Sequence, residues 1–230
     1  MRGGRRRVGA AGRIGARPQL LLFDFDGTIA DTFQCGVEIL NLMAPEFGYR
    51  PLEAADVPKA RDMRTRELMK FLGIATTRIA KISKRGKEEL NKRMDEVQPL
   101  AGMVELIRQL HCDGFRLGIL TSNSEENVEA FLKKFDLELF EFIRTSSKLM
   151  GKGSIIRNIL KKCALKPREV LLVGDEVRDI EAAQETGIHI AAVTWGYNSR
   201  KVISACGPDH MMDSPDALRE LLSGFPADGR

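Results

Sequence analysis

Two aspartates, Asp24 and Asp26, stand directly behind the apolar run Leu20-Leu21-Leu22-Phe23 and in front of Gly27 and Thr28. In an extended segment, residues two apart project to the same side. Asp24 and Asp26 are therefore expected side by side, where two like charges raise one of the two pKa values. One carboxylate would stay ionised and attack, while the other held a proton for a leaving group. Gly27 permits the sharp departure that leaves both at a sheet edge. An Asp-Gly turn with a capping aspartate is the plain structural meaning of such a pair. The buried-strand pattern before it and Thr28 after it favour the chemical meaning.

Three further stretches put polar residues where apolar segments end. Thr121, Ser122 and Asn123 follow the run 116–120 and precede Ser124, Glu125 and Glu126. A hydroxyl there can cap a helix, and with the free backbone N–H groups it can equally hold a phosphoryl oxygen. Gly174-Asp175-Glu176-Val177-Arg178-Asp179 follows another apolar run. Asp179 suits the first turn of a helix. Asp175 has no such routine explanation. Asp24, Asp175 and backbone carbonyls offer hard oxygen ligands that suit Mg²⁺. Lys152 lies between Gly151 and Gly153, just ahead of a helix, where a cation opposes the dipole. Four aspartates and a phosphate dianion would gather a charge of about −6, which Mg²⁺ alone cannot offset and a lysine would help to balance. Lys148 is the alternative lysine.

Other chemistries leave no trace. His111, His189 and His210 are dispersed without ligand spacing, and there is no Gly-x-Ser-x-Gly, Walker or Gly-x-Gly-x-x-Gly sequence.

The elements that must position these residues alternate. Hydrophobic periodicity predicts strands at 20–24, 116–121, 140–144, 169–173 and 188–193. It predicts helices at 33–47, 102–112, 125–135, 154–163, 179–186 and 215–223. Such alternation predicts an α/β fold, a Rossmann-like parallel sheet with helices on both faces. Ligands of such sheets bind at the carboxyl ends of the strands, where all the polar stretches fall. The segment 50–98 has no strand pattern; Leu68, Phe71 and Leu72 mark one amphipathic helix and 78–97 another, closed by Pro99. The simplest organisation is an α/β core from 20–32 and 99–225, with an inserted α-helical cap domain at 33–98.

Residues 1–19 contain six arginines and no acid, leaving 30 basic against 32 acidic residues in the rest of the chain. The basic pI belongs to this tail, which reads as disordered. The body has no basic excess, so neither nucleic acid nor membrane is an expected partner. No apolar stretch is long enough for a transmembrane helix. The four cysteines form no Cys-x-x-Cys pair and fit a reduced, cytoplasmic protein, monomer or homodimer.

Taken together, residues 20–223 resemble the haloacid dehalogenase-like superfamily, and within it the phosphoglycolate phosphatase-like members with a helical cap. The resemblance is carried by Asp24-Phe-Asp-Gly-Thr-Ile-Ala-Asp31, the strand ending in Thr121-Ser-Asn, Gly151-Lys-Gly, Gly174-Asp-Glu-Val-Arg-Asp179 and the loop Val193-Thr-Trp-Gly196. It implies that Asp24 forms an aspartyl-phosphate and that Asp26 protonates the leaving group and then deprotonates water. Thr28, Thr121, Ser122 and Lys152 would surround the phosphoryl group. Asp24, the Asp26 carbonyl and Asp175 would bind Mg²⁺, with Asp179 and Glu176 in support. Thr32 stands where serine is frequent, and the arginine-rich tail is foreign to the family.

The expected activity is Mg²⁺-dependent hydrolysis of a small phosphorylated metabolite, phosphoglycolate being one possibility. The segment 33–98 carries 13 basic and 10 acidic residues, a weak preference for extra negative charge on the substrate. Arg61, Arg64 and Arg66 are candidates to meet that charge, although arginines also serve a solvated helix face. A phosphosugar mutase on the same framework and a non-catalytic binding protein are the alternatives. Asp26 and Asp175 argue against a dehalogenase, which needs neither.

Overall fold

A computed structural model describes residues 16–146 and 151–225. Most of the arginine-rich tail and Lys148 lie outside these residues. Four-residue strand β1 (Leu20–Phe23) opens the sheet, followed by β2 (Arg116–Thr121), β3 (Phe142–Thr145), β4 (Val170–Gly174), β5 (His189–Val193) and β6 (His210–Met212). The strands lie in the order β3-β2-β1-β4-β5-β6, and every neighbouring pair is parallel. The chain builds outward from β1 on one side, then crosses to β4 on the other. That reversal opens a crevice at the carboxyl end of β1.

Strand alternation divides the core. Leu21, Phe23, Leu117, Ile119, Leu171 and Val173 face one side. Helices α5 (Met103–Cys112), α6 (Glu125–Lys134) and α10 (Pro215–Ser223) cover it with residues such as Ile107, Phe131 and Leu218. Leu20, Leu22, Leu120, Val170 and Leu172 face the other side. There α7 (Lys152–Lys162), α8 (Val177–Thr186) and α9 (Arg200–Ala205) contribute Ile156, Ile180 and Ile203. Each strand of the sheet's centre is thus apolar at every position, as a sheet covered on both faces demands.

Between β1 and α5 the chain forms α1 (Phe33–Phe47), α2 (Val57–Arg61), α3 (Thr65–Phe71) and α4 (Ile79–Asn91). These helices bury a cluster of their own around Ile39, Met43, Leu72 and Ile82. A short neck ties them to the sheet: Asp31 N–H donates to the Gln98 carbonyl at 2.9 Å, and Leu100 N–H to that of Ile29 at 2.8 Å.

Several local expectations are corrected. The helix expected over 78–97 ends at Asn91, because Met94 and Val97 turn inward to join the sheet's core. The helix expected from 154 begins at Lys152. The loop expected after Gly196 contains α9 and β6. Residues 17–19 are not disordered: Arg17 stacks over the Phe115 ring at 4.1 Å and Gln19 N–H donates to the Glu169 carbonyl at 2.8 Å. No helix among the described residues is long and apolar enough to cross a membrane.

Glu89 of α4 is a buried acid, 7% exposed, held between Arg85 and Lys92. Hydrogen bonds from Lys92 and then Arg85 pull its carboxyl down to about 2. An acid depressed in the folded state stabilises the fold above its unfolded pKa of about 4.3, and that contribution disappears as pH falls toward the folded value. Glu89→Gln is expected to lower the urea midpoint at pH 7, and the gap to the parent should narrow between pH 5 and pH 3. A gap independent of pH would contradict this assignment.

Candidate active site

Strand β1 delivers Asp24 to the crevice. The Asp24 N–H still bonds the Val173 carbonyl of β4 at 2.8 Å, so the ladder runs one residue beyond the strand. Phe25 then turns into the core, edge-on to Phe131 with centroids 5.0 Å apart. Gly27 adopts φ +73, and a Cβ there would collide with Asp175 and Tyr197. Left-handed backbone and missing side chain together explain why glycine stands here.

Asp24, Asp175 and Asp179 each offer an oxygen within 4.8 Å of the others, and all are buried. Lys152 lies among them, its Nζ 2.6 Å from Asp24 Oδ2 and 2.6 Å from Asp179 Oδ1. Beyond that ionic contact the buried Asp24 Oδ2 has no hydrogen-bond partner, while Oδ1 accepts from Phe25 N–H at 2.8 Å. Asp175 is fixed at both oxygens: Thr28 donates its hydroxyl to Oδ1 at 2.8 Å and Tyr197 N–H donates to Oδ2 at 2.6 Å. Asp179 Oδ2 accepts from Glu176 N–H at 3.1 Å and closes the first turn of α8.

Burial dominates the electrostatics. It pushes the Asp24 carboxyl up to about 7 against the pull of Lys152, with the charge of Asp179 adding to the rise. Asp175 is raised well above the carboxylate range by burial and then by the charges of Glu176, Asp24 and Asp179. Burial also disfavours the Lys152 ammonium, but Asp179 and Asp24 outweigh it and keep the pKa above the ordinary value. Asp26 is raised by burial, although hydrogen bonds from Thr32 and Asn123 and the Arg178 charge oppose this. The expected mutual repulsion of Asp24 and Asp26 is therefore replaced by a different cause: desolvation acts first on each, and Asp179 is the leading like charge on Asp24.

Three clustered buried carboxylates, with one oxygen short of a hydrogen bond and raised acid pKa values, fit a divalent cation bound by hard oxygens. All three acids are already engaged, Asp24 and Asp179 by Lys152 and Asp175 by Thr28 and Tyr197, so an ion would share their oxygens with these partners.

Asp26 lies close by, and Asn123 Nδ2 donates to its Oδ1 at 3.1 Å. The Thr121 hydroxyl oxygen accepts from Asn123 N–H at 3.0 Å and keeps its proton to donate. Ser122 accepts from Arg178 at 3.2 Å. Thr28, expected beside the phosphate, spends its hydroxyl proton on Asp175. Glu176 pairs with Arg178.

The sequence reading gave no role to Asn123, Arg178, Tyr197 or Asn198. Asn198 Oδ1 accepts from Val177 N–H at 2.9 Å, while its amide donates to the carbonyls of Arg61 and Met63. Arg61 donates to the Gly196 carbonyl at 2.6 Å and to that of Tyr197 at 3.2 Å, so it grips a loop rather than facing an open pocket. Arg64 pairs with Glu181 on α8. The sequence signal for this loop was Val193-Thr-Trp-Gly196, which stops short of Tyr197 and Asn198. A Cβ at Gly196 would collide with the Asp175 side chain.

The described geometry has counterparts. Residues 21–193 match the model of the haloacid dehalogenase-like hydrolases. The chain is 34% identical over 206 residues to a phosphoglycolate phosphatase of Synechococcus elongatus, covering 89% of this chain and 97% of that one. It is 27% identical over 223 residues to the pyrophosphatase PpaX of Bacillus cereus, covering 91% and 98%. Among solved structures, a haloacid dehalogenase-like family hydrolase of Streptococcus pneumoniae superposes with a TM-score of 0.71 at 21% identity, covering 88% and 97%. CbbY of Rhodobacter sphaeroides, solved in complex with phosphate, superposes at 0.68 with 23% identity, covering 86% and 95%. At those identities the solved structures speak for the fold alone. The family model and the cyanobacterial relative go further, and with the aspartate and lysine cluster already in view they make this chain a phosphatase belonging to the haloacid dehalogenase-like hydrolase family.

Proposed function

We propose that this chain hydrolyses a small phosphomonoester with the help of Mg²⁺, through a covalent aspartyl-phosphate on Asp24. The observation that carries this reading is the buried cluster of Asp24, Asp175 and Asp179 closed around Lys152, at the end of the strand that flanks the sheet's reversal.

Covalent transfer divides a difficult hydrolysis into two displacements. In the first, an Asp24 carboxylate oxygen attacks phosphorus and the bond to the leaving oxygen breaks. Asp26, protonated because burial raises its pKa, gives its proton to that oxygen. Asn123 on Oδ1 leaves the other Asp26 oxygen to carry the proton. In the second, ionised Asp26 takes a proton from water as the water attacks the same phosphorus, and the Asp24–phosphorus linkage breaks. Lys152 and the Thr121 hydroxyl hold the phosphoryl oxygens, whose charge the transition state spreads over three positions. A bound Mg²⁺ would lower the Asp24 pKa and offset phosphoryl charge. Asp24, the Asp26 carbonyl and Asp175 would hold it, with Asp179 and Glu176 supporting.

The substrate we infer is phosphoglycolate or a metabolite of similar size and charge, on the strength of the cyanobacterial relative. The reaction needs no nucleic acid or membrane surface. A monomer or homodimer is the state we assign, because Leu42 is the only exposed large hydrophobic residue among those described. Four unpaired cysteines favour the cytoplasm.

A panel of phosphate esters, including 2-phosphoglycolate, pyrophosphate and hexose phosphates, tests the reading through phosphate release with Mg²⁺. Turnover of at least one small ester is expected, and Asp24→Asn should reduce it by at least about a thousandfold. Isomerised sugar phosphate without released phosphate would point to a mutase instead. Chelation of divalent ions should abolish phosphate release and added Mg²⁺ should restore it; undiminished activity in excess chelator would remove the metal from the mechanism.

A further inference from the structure

Arg178 is the second residue of α8, where a cation opposes the helix dipole. Its position therefore calls for another explanation. Its Nη2 donates to Ser122 Oγ at 3.2 Å and also meets Glu176. Ser122 follows β2 and Arg178 follows β4, while β1 lies between those strands. An arginine rooted beyond β4 that touches Ser122 must pass over the end of β1, above Asp24 and Asp26. Both carboxyls feel its charge.

Depth separates Arg178 from Lys152. The side chains of Lys152 and Asp24 are 4% and 1% exposed, whereas that of Arg178 is 40% exposed. A phosphoryl group must descend to Asp24, so its leaving group points outward, to the level of the guanidinium. Ser122 and Glu176 both engage Nη2, and no hydrogen bond among the described residues engages Nη1. A planar guanidinium with donors left open matches a carboxylate or phosphoryl group through paired hydrogen bonds.

We propose that Arg178 is a specificity-determining residue that binds a second anionic group, carboxylate or phosphoryl, on the leaving group of the substrate. This rests on the hydrolase reading for the direction of the leaving group. It narrows the substrates to phosphate esters with a second negative charge close to the phosphorus.

Non-hydrolysable probes test it by calorimetry with Mg²⁺ present. 3-Phosphonopropionate carries a carboxylate, methylenediphosphonate a second phosphoryl group, and propylphosphonate neither. The protein should bind at least one of the first two about tenfold or more tighter than propylphosphonate, and the stronger of them identifies the anion. Arg178→Gln should erase that preference while changing propylphosphonate binding by less than about threefold, and Arg178→Lys should keep part of it. Equal affinity of the parent protein for all three probes, or no binding of any, would overturn the proposal. So would equal weakening of all three in Arg178→Gln, which would mean that Arg178 holds the phosphoryl group or the fold. Should Arg178→Gln fail to fold by thermal melting, Arg178→Lys carries the same comparison. Since no turnover is read, this outcome stays distinct from that of the phosphate-release panel.

Discussion

A single buried ammonium holds the site in its observed form. Lys152 reaches two carboxylates at 2.6 Å each, in surroundings where water is almost fully excluded. At such depth a lone charge costs several kcal/mol, and an ion pair repays this only with good geometry. Three acids share the cluster with one lysine, so the balance is left negative. Burial is the first cause of the elevated pKa values of Asp24 and Asp175, and the neighbouring acids add to it. A charged cluster buried this way is a cost to the fold that the surrounding apolar layers must offset.

The scaffold meets that demand through backbone rigidity more than through polar pairing. Strands β1 and β4 lie side by side and carry Asp24 and Asp175 at equivalent ends. Phe25 anchors the turn between Asp24 and Asp26 in the core. Thr28 and the Tyr197 N–H then set the Asp175 carboxylate from two directions. The result is a pre-positioned constellation in which each acid has its own neighbours and hence its own proton affinity.

Much of this was readable from residue order. The central strands β1 and β4 lie buried on both faces, so their apolar runs are continuous, and the residues that follow them at the carboxyl ends are among those that meet in the crevice. The segment 92–97 misled because Met94 and Val97 keep a helical spacing while they turn into the sheet's core. Elements α9 and β6 escaped because six and three residues carry too little periodicity to register. Roles that depend on where a hydroxyl proton points, such as that of Thr28, have no sequence signature at all. The same holds for Arg61 and Asn198, whose partnership spans 137 residues of chain. The expectation about Asp24 and Asp26 failed for a physical reason: sequence shows which charges are adjacent, whereas burial, which acts more strongly here, is a property of the whole fold.

The grip of Arg61 on the loop after β5 bears on how freely such helical inserts can be exchanged. Asn198 joins the Arg61 and Met63 carbonyls to the first turn of α8, and Tyr197 beside it fixes Asp175. The insert and the loop are thus two halves of one fastening. A chimera given a foreign insert would have mismatched halves unless the loop travelled with it. Replacement of either segment alone would leave the hydrogen-bonding groups of the other unmatched.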